Sequence, residues 1–321
     1  MKTGECRSRF VGCLLGSAFG DALGAAVEMQ SCGDIRQQFG QVRDFLPHDK
    51  GFGCYTDDTE MTLALARSLI VRGQVDAAVC SRHYAEAFSP ERGYGRSAVK
   101  IIEALAEGAD YRQTGTMLFS QGSFGNGAAM RIAPVGLLYR DASEKILRQA
   151  VFDAVCCTHV HPEAVEAASL QALSVALLSK LPVGEKPDTL AIIEQLERTC
   201  RFEPLVQSLR MVTELLRTAV GGDKVARCFG CGVRSSDSWP PALWAALRFA
   251  DDPEEAIIQA VNLGGDADTI GAMTGALVGA LHGDGWFPSR WFGLLENGPD
   301  GRDEIISVAE DLADSGVSVG P

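Results

Sequence analysis

Two stretches of this chain gather acidic and hydroxyl side chains where a glycine-punctuated loop runs into an apolar helical pattern. GFGCYTDDTEMTLALA, at 51–66, groups Thr56, Asp57 and Asp58, and VNLGGDADTIGAMTGALVGALHG, at 261–283, sets Asp266, Asp268 and Thr269 behind Gly264 and Gly265. Such residues can cap a helix, because Thr and Asp oxygens accept from the free N–H groups at a helix start and negative charge suits the positive dipole end. One acid serves that purpose, and each stretch carries two. The same residues can instead hold hard divalent cations, which prefer carboxylate and hydroxyl oxygen. Neither stretch holds His or Cys, so the donors suit Mg²⁺, Mn²⁺ or Ca²⁺ rather than Zn²⁺. Four aspartates converging in a dry site would raise one another's pKa, whereas cations keep them ionised, and two ions suit them better than one. The matching form of the stretches brings the metal reading level with capping, and the residues alone leave both open.

Further groups with chemical potential lie between them. Glu28 ends the apolar pattern FVGCLLGSAFGDALGAAVE, where an acid is slightly disfavoured by the macrodipole, and Asp21 lies one to two turns earlier, facing the same way or bonding nearby backbone. QGSFGNGAAMR (121–131) runs Gly122, Ser123, Phe124, Gly125, Asn126 and Gly127 into a helical pattern, offering backbone N–H groups and a helix start to an anion and Phe124 to a flat ring. No strand precedes it, so it is not the dinucleotide fingerprint, and a tight turn with positive φ at Gly125 and Gly127 explains it equally. SPERGYGRS (89–97) is a second such loop, with Arg92, Gly93, Tyr94 and Gly95. CCTHVHPEA (156–164) contributes His159 and His161, residue types that are more often structural than ligating. No Ser-His-Asp or Cys-His nucleophile is legible, and the single Cys-x-x-Cys, Cys228 to Cys231, lacks the second pair a structural zinc site needs.

The elements that must position these groups are helices. In the first segment Val11, Leu14, Leu15, Ala18, Phe19, Ala22 and Leu23 recur at three- and four-residue spacing, and the intervening glycines and alanines permit close backbone approach. Similar patterns predict helices over 59–72, 76–88, 96–107, 128–139, 143–157, 162–180, 188–199, 204–220, 241–250, 253–263, 268–282 and 302–314. Few segments alternate with period two, so the expected fold is all-α, a single compact multi-helix domain over 1–321 with a di-metal site at helix N-termini. The linker-like segments 180–188 and 221–241 are short enough to be surface connections. Apolar residues make up 46% of the 321, ample for a core. The net charge of −13 lacks the basic footprint of a duplex nucleic-acid binder, so an anionic ligand must be held by local features. Ten cysteines scattered through apolar segments suit a reducing compartment, and no uninterrupted apolar run reaches the ~18 residues of a membrane span. A cytoplasmic monomer is expected.

Taken in order, GCLLGSAFGDALGAAVE, YTDDTEM, SFGNGAAMRIAPVGLLY, CTH and NLGGDADTIGAMTGALVGALHG resemble the ADP-ribosylglycohydrolases related to dinitrogenase reductase-activating glycohydrolase. PERGYG and the Ser-Phe-Gly-Asn-Gly loop look most like the branch that hydrolyses ADP-ribosyl-serine, poly(ADP-ribose) and related O-linked esters. The resemblance implies a compact helical fold with two magnesium ions bound by Thr56, Asp57, Asp58, Asp266, Asp268 and Thr269. It further implies that Glu28 is the catalytic glutamate, on a mobile flap, acting beside Asp57 and Asp268. Gly93, Tyr94, Gly95, the loop Gly122–Gly127 and His159 would hold diphosphate and adenosine. ADP-ribose and ADP-ribosylated protein or polymer are the implied partners. An ADP-ribosyl-arginine hydrolase of the same family, a non-catalytic ADP-ribose reader and a two-metal phosphohydrolase are the alternatives.

Overall fold

A computed structural model describes residues 3–182, 185–218 and 220–316. Eighteen α-helices appear among them, with one small antiparallel hairpin pairing Pro47 with Phe52 and His48 with Gly51. The all-α expectation holds, and the helices pack around one continuous apolar cluster.

The central contact is between the first helix, Thr3–Gly24, and the helix Ala267–His282. Glycine recurs every four residues in the first (12, 16, 20, 24) and along the second and just beyond its end (271, 275, 279, 283), so each row forms one face. The rows meet antiparallel, backbone against backbone: a Cβ on Gly16 would overlap the Gly275 carbonyl, one on Gly20 the Gly271 carbonyl, and one on Gly24 the Asp268 amide. Only glycine permits this approach. Its consequence is positional. The C-terminal end of the first helix, with Asp21 and then Glu28, is laid against the N-terminal end of the other, with Asp266 and Asp268. The window Gly4–Val27 is also long and apolar enough to cross a membrane (mean hydropathy 1.6), although its apolar run is interrupted. Since 94% of it is buried inside the molecule, it is the core helix here.

Most expected helices occur within a few residues of their predicted bounds, among them Asp57–Arg72, Ala77–Ala87, Pro162–Ser179 and Arg302–Asp314. Short helices at Tyr111–Thr114 and Ser289–Leu294 are not expected from the sequence, and three further regions differ. The helix expected over 128–139 is two pieces, Gly127–Met130 and Ala133–Leu138, the second begun with Pro134 in its first turn, where a missing N–H costs nothing. The segment 221–241 is not a plain connection: it holds the helix Gly222–Phe229 and the start of Ser235–Arg248. Pro240 and Pro241 lie inside that second helix, where each removes a backbone bond. Full burial of Trp239, Leu243 and Trp244 offsets that loss, since each large apolar side chain taken from water contributes about 1.5–3 kcal/mol. Finally, Cys32–Phe39 is helical and capped by Ser31, whose side chain accepts from the Asp34 amide.

Candidate active site

The two acidic stretches meet. Carboxylate oxygens of Asp21, Asp58 and Asp268 lie within 4.8 Å of one another, as do those of Glu28, Asp266 and Asp268, so Asp268 joins two triads. Asp57, half-buried, lines the adjoining cavity.

The structure bears on capping against cation binding. Thr56 precedes the helix Asp57–Arg72 without a side-chain cap of its own. Two of the free N–H groups are instead satisfied by Asp21 from the first helix: its Oδ1 accepts from the Thr56 amide and hydroxyl, both at 2.8 Å, and its Oδ2 from the Thr59 amide at 2.9 Å and hydroxyl at 2.6 Å. Asp57 and Asp58 are thereby released from capping. Asp266 likewise makes no side-chain cap bond at the start of Ala267–His282. Among the described residues Asp58 keeps only weak partners, the Thr56 and Thr269 hydroxyls at 3.2 and 3.3 Å from Oδ2, and its buried Oδ1 has none. An orphaned carboxylate oxygen inside an all-oxygen donor set is what a hard cation would complete. The residues therefore fit a divalent metal.

Electrostatics agree. Burial first, then Asp21, Asp266 and Glu28, push the Asp57 carboxyl up to about 8. Burial raises Asp21 to about 6 against the lowering pull of its Thr59 and Thr56 hydrogen bonds. Asp58 and Asp268 are driven well above the ordinary range, by burial first and neighbouring acids next. Asp266 is raised by burial and partly relieved by Asn126, whose amide donates to its Oδ2 and, at 3.1 Å, to Ser238. These are like charges crowded together, a situation that bound cations would relieve.

Glu28 stands just past the helical part of its segment: the α-helix ends at Gly24, a 3₁₀ turn covers Ala25–Val27, and Met29 takes a left-handed φ of 63°. The chain then pairs with the loop ahead of Asp266, Met29 N–H donating to the Gly265 carbonyl at 2.6 Å and Gly265 N–H to the Gln30 carbonyl at 2.7 Å. The region following Glu28 is further tied down by Asn262, which bonds both the N–H and C=O of Val42, and by the Arg36 pair with Asp223. Lys50 Nζ sits 3.7 Å from a Glu28 oxygen. Burial raises the Glu28 carboxyl and Lys50 opposes it, with Asp266 and Asp21 pushing further up.

Beside the acids opens a cavity of about 330 Å³, lined by Glu28, Asp57, Asp58, Asp266, Asp268 and Thr269 at one end, and by Gly93, Gly95, Ser123, Gly125, Asn126, Gly127 and His159 farther along. Four expected residues do not line it. Thr56 is buried against Asp21. The Tyr94 ring turns inward, its hydroxyl 2.5 Å from Glu60 and its edge on Phe88, so only its glycine neighbours face the cavity. Gly122 holds a turn at φ 81°, packed on Val160 and His161. Phe124 is exposed, with Arg234 5.0 Å above its ring and His161 at its edge.

The loop also differs from its expected conformation. Positive φ occurs at Gly122, not at Gly125 or Gly127. Gly127 is glycine for space, since a Cβ there would meet His159 Cε1 at 3.0 Å. The helix after it is one turn long, so it lacks the aligned dipole expected at a long helix start. His161 caps Pro162–Ser179, accepting from the Glu163 amide at 3.2 Å. Cys231 is buried and supports the site through its backbone, its carbonyl accepting from Asp266 N–H at 2.7 Å, while Cys228 is exposed. Sequence reasoning did not single out Met29, Arg96, Arg131, Thr158 and Val233, which also line the cavity; spacing carries no signal for residues assembled from distant segments.

An all-helical chain with two carboxylate triads sharing one aspartate, opening on a glycine-lined cavity, has the oxygen donors to hold a divalent cation beside a ligand-sized space. The ADP-ribosylglycohydrolase family model matches residues 2–320, and the chain belongs to that family. It is 29% identical to human ADP-ribosylhydrolase ARH3, over 95% of this chain and 93% of that protein. It is 35% identical to an uncharacterised protein of Archaeoglobus fulgidus, over 90% and 92%. A solved structure described as an ADP-ribosylglycohydrolase-related protein complex superposes with a TM-score of 0.74 at 31% identity, covering 97% of this chain and 98% of that one.

Proposed function

We propose that this protein hydrolyses the O-glycosidic bond of ADP-ribosyl-serine, poly(ADP-ribose) or a related O-linked ADP-ribose, releasing ADP-ribose, with two Mg²⁺ ions, or Mn²⁺ in their place. The observation that carries the reading is the pair of triads joined at Asp268 with Glu28 in one of them and the cavity alongside. Thr56, Asp57, Asp58, Asp266, Asp268 and Thr269 would hold the ions, while Asp21, whose oxygens already accept from Thr56 and Thr59, would position the start of Asp57–Arg72 beside them. Bound cations supply Lewis-acid polarisation and neutralise the clustered carboxylates.

The chain's own residues do the rest. Breaking a glycosidic bond through an oxocarbenium-like state calls for a group that protonates the leaving oxygen or takes the proton of water. Glu28 is the cavity-lining acid beyond the central four aspartates, on backbone pinned to Gly265, and trades that proton. Gly93, Gly95, Ser123, Gly125 and Gly127 let a diphosphate approach the backbone closely, which a net charge of −13 does not otherwise favour. Phe124, exposed beside the cavity under Arg234, offers a face to the adenine ring. Human ARH3, named an ADP-ribosylhydrolase, lends support through similarity along nearly the whole chain. Ten free cysteines support a place in the reducing cytoplasm.

Product analysis tests this. Serine-, arginine- and polymer-linked ADP-ribose are incubated with the protein, with Mg²⁺ or with chelator. Free ADP-ribose from the serine-linked peptide, lost with chelator and lost in Glu28→Ala, is expected. Release from arginine alone moves the protein to the N-linked class, tight binding without turnover makes it a reader, and AMP as product makes it a phosphohydrolase.

A further inference from the structure

Beneath the cavity lies a cation that the reaction does not obviously need. Arg131 is 1% exposed and permanently charged, yet the groups that hold it are neutral. Nη1 donates to the Gly127 carbonyl, Nη2 donates to the Thr158 hydroxyl at 2.6 Å, the guanidinium lies 4.6 Å from the Tyr84 ring centroid, and Nε has no partner among the described residues. A buried charge held by neutral acceptors is costly, so the position asks for a purpose.

The Thr158 hydroxyl passes the contact on. It owns one proton and has two acceptors in reach: Nδ1 of His159 at 2.8 Å and the Val155 carbonyl at 3.2 Å. His159 is 9% exposed and lines the cavity, its Nε2 beside the glycine loop, where a methyl on Gly127 would lie 3.4 Å from it and one on Gly125 3.7 Å. Burial first and Arg131 second push the imidazole pKa down to about 3, so the ring is neutral with one donor and one acceptor nitrogen. Which nitrogen faces the cavity with a proton is then decided at Thr158.

We propose that Arg131 is a positioning residue that, through the Thr158 hydroxyl, fixes His159 as the Nε2–H tautomer, so that the ring offers the cavity a donor to a ligand oxygen. A guanidinium N–H on the Thr158 oxygen polarises its O–H, and the nearer acceptor for that proton is Nδ1. With Nδ1 accepting, the ring proton sits on Nε2. The opposite tautomer would load two donors onto the Thr158 oxygen and turn an Nε2 lone pair toward an anionic ligand. Arg131 also grips the Gly127 carbonyl, so one guanidinium sets both the ring and the loop it abuts. The inference rests on the cavity being the ADP-ribose site.

Long-range ¹H–¹⁵N correlation spectra of the full chain labelled at histidine read the tautomer without any turnover. The expected result near neutral pH is His159 protonated at Nε2. In Thr158→Val the ring shifts toward Nδ1–H and the Kd for ADP-ribose, by calorimetry, rises about tenfold, while Thr158→Ser restores both. Arg131→Lys, which keeps the charge and loses the fork, gives mixed tautomers and a KM raised about tenfold with kcat within about twofold. An Nδ1–H ring in the unaltered protein, or a Thr158→Val variant with tautomer and Kd unchanged, overturns the proposal. Should Arg131→Lys not fold, the unaltered protein and the Thr158 pair still decide. An Nε2–H ring that Thr158→Val displaces, in a protein that binds no ADP-ribose, upholds the relay and overturns the functional reading instead.

Discussion

Asp268 belongs to both acidic triads, so replacing it removes a vertex from each. Asp268→Asn is expected to lower kcat by at least about a hundredfold and to weaken Mg²⁺ binding in a calorimetric titration, with little loss of thermal stability, because it removes a repelling charge from a crowded set. The same crowding fixes a pH dependence. Asp21 and Asp57 have folded-state pKa values raised to about 6 and about 8, so between the ordinary carboxylate pKa and those values the folded protein holds more protons than the unfolded chain. Stability of the metal-free protein from these groups is therefore full at the acid end of that window and falls as pH rises through it, by on the order of a few kcal/mol. Cations oppose the loss. Differential scanning calorimetry should show Mg²⁺ raising Tm more at pH 8 than at pH 5.5, and an equal rise at both would contradict the proposed charge state.

At the scale of elements, two helix contacts carry the site. The glycine rows of Thr3–Gly24 and Ala267–His282 leave no room for a Cβ at their midpoint, so Gly20→Ala should destabilise the protein by about 1–3 kcal/mol, as overpacking does, and weaken Mg²⁺ binding by displacing Asp21 from Asp268. Gly4, at the open end of the same helix with nothing within 4 Å, is the control. Gly4→Ala should be neutral or stabilising by up to about 1 kcal/mol, since alanine is the better helix former. Urea unfolding of the two variants separates packing from propensity. A similar gain in both would show that helix propensity, not contact, governs the interface. The second contact is Asp21 on the start of Asp57–Arg72, where a capping carboxylate is supplied by a different helix.

For the whole molecule, net charge is the property that reaches farthest. A protein of −13 repels a diphosphate at distances of a Debye length, about 30 Å at 0.01 M salt and about 8 Å at 0.15 M. Association with ADP-ribose should thus speed up a few-fold between those ionic strengths, opposite to a protein steered by a basic surface. Stopped-flow rates at fixed Mg²⁺ measure it, and a rate that falls with salt would mean that local cations dominate the long-range field.

Much of this was legible in residue order, because helical periodicity and oxygen-donor clustering are local properties. The two Asp-Thr stretches, Glu28, the glycine loop and nearly every long helix could be read from spacing, and apolar patterning excluded a sheet protein. The helix Ser235–Arg248 could not, since Pro240 and Pro241 argue against it and only burial of Trp239 and Trp244 overrides them. Nor could the choice between capping and cation binding be made, as the capping carboxylate comes from Asp21, 35 residues away from Thr56. Tyr94 and Gly93 are neighbours in the chain, yet one turns to Glu60 and the other to the cavity. Sequence by itself determined which side chains can bind oxygen-loving cations and on which helices they ride. Tertiary structure alone decided which of them converge, because convergence depends on two glycine faces meeting antiparallel, an interaction between residues more than 240 positions apart.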